Sequence, residues 1–309
     1  MIRVLFAAKA KDWAEYEEVL PQAIASAGVE AEIVTEAEPE TVDYIVYAPN
    51  SELQDFQPYT RAKAVLSLWA GVEGIVDNKT LTMPLVRMVN FGMTEGMVEW
   101  CVGHTLRHHL ELDRDICRTD TDWAPHVPPL ARDRRVTLLG IGALGEAVAR
   151  ALGDLGFDVA GWSRSPKSIL GIECFAGEAG LDKVLGRAEI LILLLPLTDS
   201  TENLMNAERL SRLPKGAFLI NPGRGPLMDD DALLEALDRG QIAHATLDVF
   251  RKEPLPKEHP FWAHPKVTVT PHIASHTRAD SAAEVIEENI RRGESGEPLL
   301  HLVDREAGY

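Results

Sequence analysis

Cysteine is scarce in this sequence of 309 residues: Cys101, Cys117 and Cys174 are its three cysteines, and they form no CxxC pattern. A disulfide framework needs paired cysteines, and a zinc site needs closely spaced Cys or His ligands. His104 and His108 are four residues apart on one predicted helical face, but the sequence indicates no third ligand for a metal. We therefore expect neither a disulfide framework nor a metal centre.

Basic residues are also few, since 31 Lys and Arg stand against 48 Asp and Glu and give a net charge of −17 at pH 7. This surplus of negative charge repels a phosphate backbone, which argues against nucleic acid as a partner. The longest apolar run, residues 190–195, is far shorter than the roughly 20 residues of a membrane helix. The N-terminal residues lack the pattern of a signal peptide. We expect a cytoplasmic protein with no membrane segment.

The sequence does contain a repeated alternation of short β-rich runs and helical patterns. The strand-like runs are residues 2–7, 32–34, 44–47, 65–68, 136–139, 159–162, 190–195, 218–221, 245–247 and 267–269. Helical patterns fill the gaps, for example at 12–27, 143–155 and 229–239. Such alternation is typical of parallel sheets built from βαβ units. It predicts an α/β protein with two Rossmann-like domains.

The boundary between these domains is predicted from a helix and a proline-rich loop. Residues 94–118 have the pattern of one helix, and residues 119–129 contain three prolines, which is typical of a connection between domains. A last helical pattern at 281–292 would return to the first domain. We therefore predict one domain from residues 1–91 with 282–309, and a second from residues 92–281.

A turn of sequence GIGALG at residues 140–145 follows a strand-like run and precedes a helical pattern. Gly140 permits the tight turn, Gly142 lets a pyrophosphate approach the backbone, and Gly145 lets the helix pack on the sheet. The N–H groups at the helix start, with Ala143 and Leu144, would face the anion. A GxGxxG pattern alone also occurs in ordinary turns, but between a strand and a helix it predicts dinucleotide binding.

The next strand-like run predicts which dinucleotide binds. An NAD site normally has Asp or Glu about 20 residues after the glycine turn, where the carboxylate holds the ribose hydroxyls. Here the strand ends in Ser163, Arg164 and Ser165, while Asp158 lies at its beginning. These three side chains can donate to the 2′-phosphate of NADP. We predict that NADP(H) is preferred and NAD(H) is possible, with a solvated basic loop as the alternative.

Four further motifs occur at the ends of strand-like runs. They are LPLT at 195–198, NPGRG at 221–225, DVFRKEPL at 248–255 and TPHIA at 270–274. With the glycine turn, they resemble the D-isomer-specific 2-hydroxyacid dehydrogenase family and, within it, the glyoxylate/hydroxypyruvate reductase A branch. The resemblance covers essentially the whole chain. It implies a flavodoxin-like substrate domain beside the dinucleotide-binding domain, NADPH-dependent reduction of glyoxylate or hydroxypyruvate, and a homodimer formed through the region of residues 94–118.

The resemblance assigns catalytic roles to Arg224, Glu253 and His272. Arg224 would bind the substrate carboxylate and polarise its carbonyl, for which a planar guanidinium is suited. His272 would protonate the carbonyl oxygen as the hydride arrives, and Glu253 would hydrogen-bond the imidazole. Taken alone, these residues could equally be a structural arginine, a solvated glutamate and a structural histidine.

The resemblance also implies cofactor and substrate contacts outside the glycine turn. The additional cofactor contacts are Leu195, Pro196, Thr201, Pro222, Gly223, Arg224, Asp248 and His272. Ala70 and Gly71 match the loop whose N–H groups bind the substrate carboxylate, and glycine allows the close approach. Trp69 would either line the substrate pocket or pack between domains. Tyr47 stands where reductases of this branch tend to have Trp, which leaves the substrate preference open.

Two other functions stay open at this point. A reductase of a bulkier 2-oxo acid, or a 3-phosphoglycerate-type dehydrogenase, would share all these motifs. A dinucleotide-sensing protein similar to the family's corepressors would keep the fold and bind protein partners instead. Turnover across a panel of 2-oxo acids would separate these functions.

Overall fold

Strands and helices alternate along the chain in the computed structural model, which describes residues 1–306 and 308. In chain order they are β1 (Ile2–Ala7), α1 (Ala10–Tyr16), α2 (Val19–Ser26), β2 (Ala31–Val34), β3 (Tyr44–Tyr47), β4 (Ala64–Ser67), β5 (Leu85–Val86), α3 (Phe91–His109), α4 (Leu112–Ile116), β6 (Arg135–Leu139), α5 (Ala143–Asp154), β7 (Asp158–Ser163), β8 (Glu173–Ala176), α6 (Gly177–Arg187), β9 (Ile190–Leu193), α7 (Ala207–Arg212), β10 (Ala217–Asn221), α8 (Asp230–Asp238), β11 (Ile242–Leu247), β12 (Val267–Val269) and α9 (Ala279–Ser295). No helix in this described part has the length and hydropathy to span a bilayer.

The chain divides into two units. Unit 1 contains Met1–Met93 and Thr277–Tyr309, and unit 2 contains Thr94–His276. The chain passes from unit 1 to unit 2 inside α3 and returns to unit 1 just before α9. The sequence analysis placed these two boundaries after residues 91 and 281.

Unit 1 is built on a parallel sheet whose described strands have the order β2-β1-β3-β4-β5. This is the flavodoxin-like order. One sheet face buries Val4 and Phe6 in a core shared with Ile286 of α9, and the other face buries Leu5 and Ile45. Because successive strand residues point to opposite faces, a sheet covered on both sides needs the continuous apolar runs seen in the sequence.

Unit 2 is built on a parallel sheet with the described order β12-β11-β10-β9-β6-β7-β8. The order from β8 to β11 is that of a Rossmann fold, to which β12 adds one strand. The strand order reverses between β6 and β9, and ligands of such sheets bind where the order reverses, at the carboxyl ends of the strands. The predicted fold class, two Rossmann-like α/β domains with parallel sheets, is confirmed.

Two helix predictions were wrong. Residues 12–27 form α1 and α2 instead of one helix, because Pro21 has no N–H and its ring would clash with the carbonyl of Glu17. Residues 94–118 are interrupted between α3 and α4, where Glu111 has a left-handed φ of 53°. Arg107 of α3 forms an ion pair with Asp113 of α4 at 2.8 Å, which joins the two helices across this interruption. The sequence analysis also missed β5 and β8.

Candidate active site

The glycine turn lies directly after β6 and leads into α5. Gly140 has a φ of 101°, and a Cβ there would lie 2.4 Å from the carbonyl oxygen of Leu194. A Cβ on Gly145 would lie 1.9 Å from the carbonyl oxygen of Gly140. A Cβ on Gly142, in contrast, would meet nothing within 4 Å. The first and third glycines are thus needed for packing, and the middle one leaves open space at the start of a helix.

This open space fits a dinucleotide pyrophosphate. The first amides of an α-helix, here those of Ala143 and Leu144, have no acceptor inside the helix, and the helix dipole makes this end positive. The acidic residue of the first turn, Glu146, is paired with Arg150 at 2.7 Å, which offsets its repulsion of an anion. Contacts of the predicted residues 140 and 142–145 with a phosphate stay predictions.

The loop after β7 carries the residues predicted to select NADP. Ser163 Oγ donates to the carbonyl oxygen of Ser165 at 2.7 Å, and Arg164 and Ser165 are exposed. Lys167, which the sequence analysis did not assign, donates from Nζ to the carbonyl oxygen of Ile141 at 2.8 Å. This bond ties the loop to the glycine turn, so both predicted parts of the cofactor site lie together.

Asp158 lies at the beginning of β7 and forms an ion pair with Arg187 at 2.6 Å. It therefore lies at the end of the strand opposite to Ser163. The carboxyl end of β7 carries serine and arginine where an NAD site has a carboxylate.

The loop after β9 contains three predicted cofactor contacts, Leu195, Pro196 and Thr201. Leu195 is buried. Thr201 Oγ1 donates to the carbonyl oxygen of Pro196 at 2.7 Å and accepts from the N–H of Thr198 at 2.8 Å. The hydroxyl of Thr201 thus shapes the loop, and contacts of these residues with a cofactor stay predictions.

His272 and Glu253 meet at the carboxyl end of the same sheet. His272 follows β12 with a left-handed φ of 56°, and its Nδ1 lies 2.7 Å from Oε2 of Glu253. The other oxygen, Oε1, accepts the N–H of Phe250 at 2.9 Å. The imidazole side chain is 53% exposed. With Nδ1 engaged by Glu253, Nε2 is the ring nitrogen left to act on a substrate.

The surroundings of Glu253 keep its carboxylate charged. Burial raises the pKa of Glu253, but the hydrogen bonds from His272 and from the N–H of Phe250, with the charges of His272 and Arg224, outweigh burial. The pKa of Glu253 is therefore lower than its ordinary value. A charged carboxylate therefore lies directly beside Nδ1 of His272.

Arg224 follows β10 on a turn that Asn221 organises. Asn221 Oδ1 accepts the N–H of Gly223 at 3.1 Å, and its Nδ2 donates to the carbonyl oxygen of Arg224 at 3.0 Å. Nη1 of Arg224 donates to the carbonyl oxygen of Gly223 at 2.7 Å. Pro222 and Gly223 are buried. Arg224 is half-buried, and its charge acts on Glu253, so three predicted catalytic residues are neighbours.

Asp248 anchors the loop that carries His272. Its fully buried carboxylate accepts from Thr270 Oγ1 at 2.5 Å and from the N–H groups of Ile273 at 2.9 Å and Ala274 at 2.8 Å. Its carbonyl oxygen accepts the N–H of His272 at 2.9 Å. The sequence analysis listed Asp248 as a cofactor contact; the structure shows it positioning His272, and a cofactor contact stays a prediction.

In unit 1, the loop after β4 presents the predicted carboxylate donors. Within residues 1–306 and 308, the N–H groups of Ala70 and Gly71 have no acceptor. The loop is held firmly, because Thr277 Oγ1 donates to the carbonyl oxygen of Leu68 at 3.0 Å, and Trp69 accepts the N–H of Met88 at 3.0 Å. Trp69 is 43% exposed. Within the described residues, the N–H groups of Ala70 and Gly71 are therefore available as hydrogen-bond donors, next in sequence to the exposed indole of Trp69.

Tyr47, a predicted substrate contact, lies in the core of unit 1. Its side chain is 1% exposed and lies edge-on to Phe56, with ring centroids 5.4 Å apart. Gln54 Nε2 donates to its hydroxyl at 3.4 Å. Tyr47 is the last residue of β3, and burial in the core of unit 1 raises its pKa, so a substrate contact of this residue stays a prediction.

The histidines of α3 are packed into unit 2. His108 Nε2 lies 2.9 Å from Oγ1 of Thr246, and its ring stacks on Phe218 with centroids 4.8 Å apart. Burial lowers the pKa of His108 to about 3 and that of its neighbour His244 to about 4. Within the described residues, no three His, Cys, Asp or Glu side chains are arranged to hold a metal ion.

The fold and the glycine turn together are those of a dinucleotide-dependent oxidoreductase. A profile described as D-isomer specific 2-hydroxyacid dehydrogenase, NAD binding domain, matches residues 101–274. The chain belongs to the D-isomer specific 2-hydroxyacid dehydrogenase family.

The similarity to named proteins extends over most of the chain. It is 40% identical over 257 residues to glyoxylate/hydroxypyruvate reductase A of Serratia proteamaculans, covering 81% of this chain and 82% of that protein. A D-isomer specific 2-hydroxyacid dehydrogenase from Xanthobacter autotrophicus Py2, solved with NADPH and MES, has 39% identity and a TM-score of 0.90, with 100% of this chain and 99% of that chain covered. An NADPH-dependent glyoxylate/hydroxypyruvate reductase from Sinorhizobium meliloti, solved with NADP and sulfate, has 35% identity, a TM-score of 0.87 and full coverage of both chains, 100% each.

Proposed function

We propose that the protein is an NADPH-dependent reductase of small 2-oxo acids, with glyoxylate and hydroxypyruvate as substrates. The observation that carries this function is the 2.7 Å contact between His272 Nδ1 and Glu253 Oε2, beside the guanidinium of Arg224. The relatives named above act on these 2-oxo acids or were solved with NADPH or NADP. The loop of Ser163, Arg164 and Ser165 supplies donors for the 2′-phosphate.

In the proposed mechanism, NADPH supplies the hydride when it is bound. Arg224 binds the carboxylate of the 2-oxo acid and polarises its carbonyl, so negative charge that develops on the carbonyl oxygen is stabilised. His272 gives its proton to that oxygen, and Glu253 holds the ring in the orientation that directs Nε2 at the substrate. The free amides of Ala70 and Gly71 are proposed as further donors to the carboxylate.

Steady-state turnover tests this function. Glyoxylate, hydroxypyruvate, pyruvate and a branched 2-oxo acid should be compared, each with NADPH and with NADH. We expect the highest kcat/KM for glyoxylate or hydroxypyruvate with NADPH. A higher kcat/KM for the branched acid would favour the bulkier-substrate alternative, and tight NADPH binding without any turnover would favour a dinucleotide-sensing protein.

The proposal includes a homodimer and a cytoplasmic location. Large apolar side chains are exposed between α4 and β6: Trp123 is 96% exposed, Val127 86% and Leu130 58%. Ile116 on α4 is exposed as well, and exposed large apolar side chains of this kind are what contact with a second copy would remove from water. Sedimentation of the protein and of Trp123→Ser would test whether a second copy covers these side chains, and cell fractionation would test the location.

A further inference from the structure

Arg251 lies in the segment that joins β11 to Glu253, and no role has been assigned to it so far. Its Nη2 donates to the carbonyl oxygen of Met228 at 2.5 Å and to Oδ1 of Asn203. Met228 precedes α8 and follows the turn of Arg224, and Asn203 lies in the loop before α7. One side chain therefore fastens the segment before Glu253 to two neighbouring loops.

Two carboxylates face the same guanidinium. Nη1 of Arg251 lies 3.6 Å from Oε1 of Glu202, and Nε lies 3.7 Å from Oδ1 of Asp230. Asp230 is in turn 3.7 Å from Nε2 of His259. Both ion pairs are longer than the two hydrogen bonds to Met228 and Asn203, so the hydrogen bonds set the position of the side chain more closely.

The backbone beside Arg251 connects the turn of Arg224 to Glu253. A Cβ on Gly225 would lie 2.1 Å from the carbonyl carbon of Phe250 and 2.5 Å from the nitrogen of Arg251, so these backbones touch. The N–H of the same Phe250 holds Oε1 of Glu253 at 2.9 Å. A shift of residues 250–251 would therefore move the Glu253 carboxylate relative to Arg224.

We propose that Arg251 is a positioning residue of the reaction: it fixes residues 250–251 so that Glu253 reaches His272. The inference rests on the proposed roles of Glu253 and His272. The partners of Arg251 described above include neither of these residues, so Arg251 would act through the backbone of residues 250–251. A misplacement of about 1 Å far from the reacting atoms can cost up to roughly a hundredfold in rate, so loss of this anchor should be measurable.

Substitution of Arg251 should not unfold the protein. The side chain is 33% exposed and forms part of the wall of a cavity of about 390 Å³ that opens to solvent. Water can therefore replace the guanidinium without leaving a void in the core. The test variants are Arg251→Gln, which removes the charge, and Arg251→Lys, which keeps the charge but loses the planar group that reaches several partners.

Arg212→Gln is a matched control. Arg212 lies in the same unit, is 35% exposed and pairs with two carboxylates, Asp182 and Glu208, away from the catalytic loops. We expect Arg251→Gln to lower kcat about ten- to a hundredfold and to move the alkaline limb of the pH profile toward acid, as loss of Glu253 would. We expect the Kd of NADPH to be unchanged, Arg251→Lys to be intermediate, and Arg212→Gln to match the parent protein.

The double variant Arg251→Gln with Glu253→Gln decides how Arg251 acts. If it acts through Glu253, the double variant will be no slower than the slower single variant. Losses that multiply, or an unshifted pH profile in Arg251→Gln, would overturn the inference. If Glu253→Gln is impaired while the Arg251 variants are normal, only the inference fails; if Glu253→Gln is itself normal, the proposed role of Glu253 fails as well.

Discussion

Glu253 binds Nδ1 of His272 through Oε2, at 2.7 Å, while its second oxygen is held by the backbone of Phe250. This pairing fixes both the tautomer and the orientation of the imidazole, because only Nε2 is left for the substrate. In the proposed mechanism this ring donates the proton that reduction consumes, and the charged carboxylate lies directly beside it.

The first prediction concerns this charge. Glu253→Gln keeps the size of the side chain but removes its charge, so it stabilises the imidazolium less. Because the pKa of Glu253 lies below its ordinary value, the carboxylate is charged at neutral pH. The alkaline limb of the reductive kcat/KM profile should move to lower pH in the variant. An unchanged profile would remove Glu253 from the mechanism.

The second prediction tests the acid itself. His272→Ala should lower the rate of reduction about 10²–10⁴-fold, the usual contribution of a positioned acid or base. Its Kd for NADPH, measured by fluorescence titration, should change little, because the imidazole acts on the substrate. A rate close to that of the parent protein would show that another group donates the proton.

The third prediction concerns the choice of cofactor. Arg164→Ala should weaken NADPH binding about ten- to a hundredfold, which corresponds to the roughly 1.5–3 kcal/mol of a charged hydrogen bond. NADH binding should be nearly unchanged, since NADH has no 2′-phosphate. Arg239→Ala, an exposed arginine at the end of α8, is the control. Equal losses for the two cofactors would contradict the assignment of Arg164.

The fourth prediction concerns Trp69, whose exposed indole stands beside the free amides of Ala70 and Gly71. Trp69→Ala should raise kcat/KM for 2-oxo acids with bulky substituents by roughly tenfold or more and change glyoxylate turnover little. Trp262→Ala, a comparably exposed tryptophan in unit 2, should leave the ranking of substrates as it is. Lower thermal stability with an unchanged ranking would assign the indole to packing.

The fifth prediction concerns stability in acid. The folded-state pKa values of His108, about 3, and His244, about 4, lie below the ordinary 6.5, so below pH 6.5 the unfolded chain binds protons that the folded chain does not. Stability should therefore fall as the pH drops from 7 to 5, by about 1–2 kcal/mol for each histidine. Urea unfolding at both pH values measures this, and His108→Gln should show a smaller loss; an equal loss would contradict the account.

Features that depend on local sequence could be predicted, and features that depend on strand neighbours could not. The glycine turn needs only a strand, three glycines and a helix, all within residues 136–155. The roles of Asp248 and Lys167 depend on bonds to Ala274 and Ile141, which are distant in sequence and meet only because β11 pairs with β12 and β7 with β6. The burial of Tyr47 could not be predicted either, because the residues that share its face of the sheet, such as Val65 and Leu85, are distant in sequence.

Unit 1 contains both early and late parts of the chain, since α9 packs beside α2 on the same sheet face and Glu294 accepts the hydroxyl of Tyr44 at 2.8 Å. Unit 2, in contrast, is one continuous stretch of residues. During synthesis, therefore, the dinucleotide-binding unit can complete its core before α9 has been made. Until α9 leaves the ribosome, this face of β1–β5 is covered only in part, by α1 and α2, so the nascent chain exposes apolar surface there that a chaperone could shield.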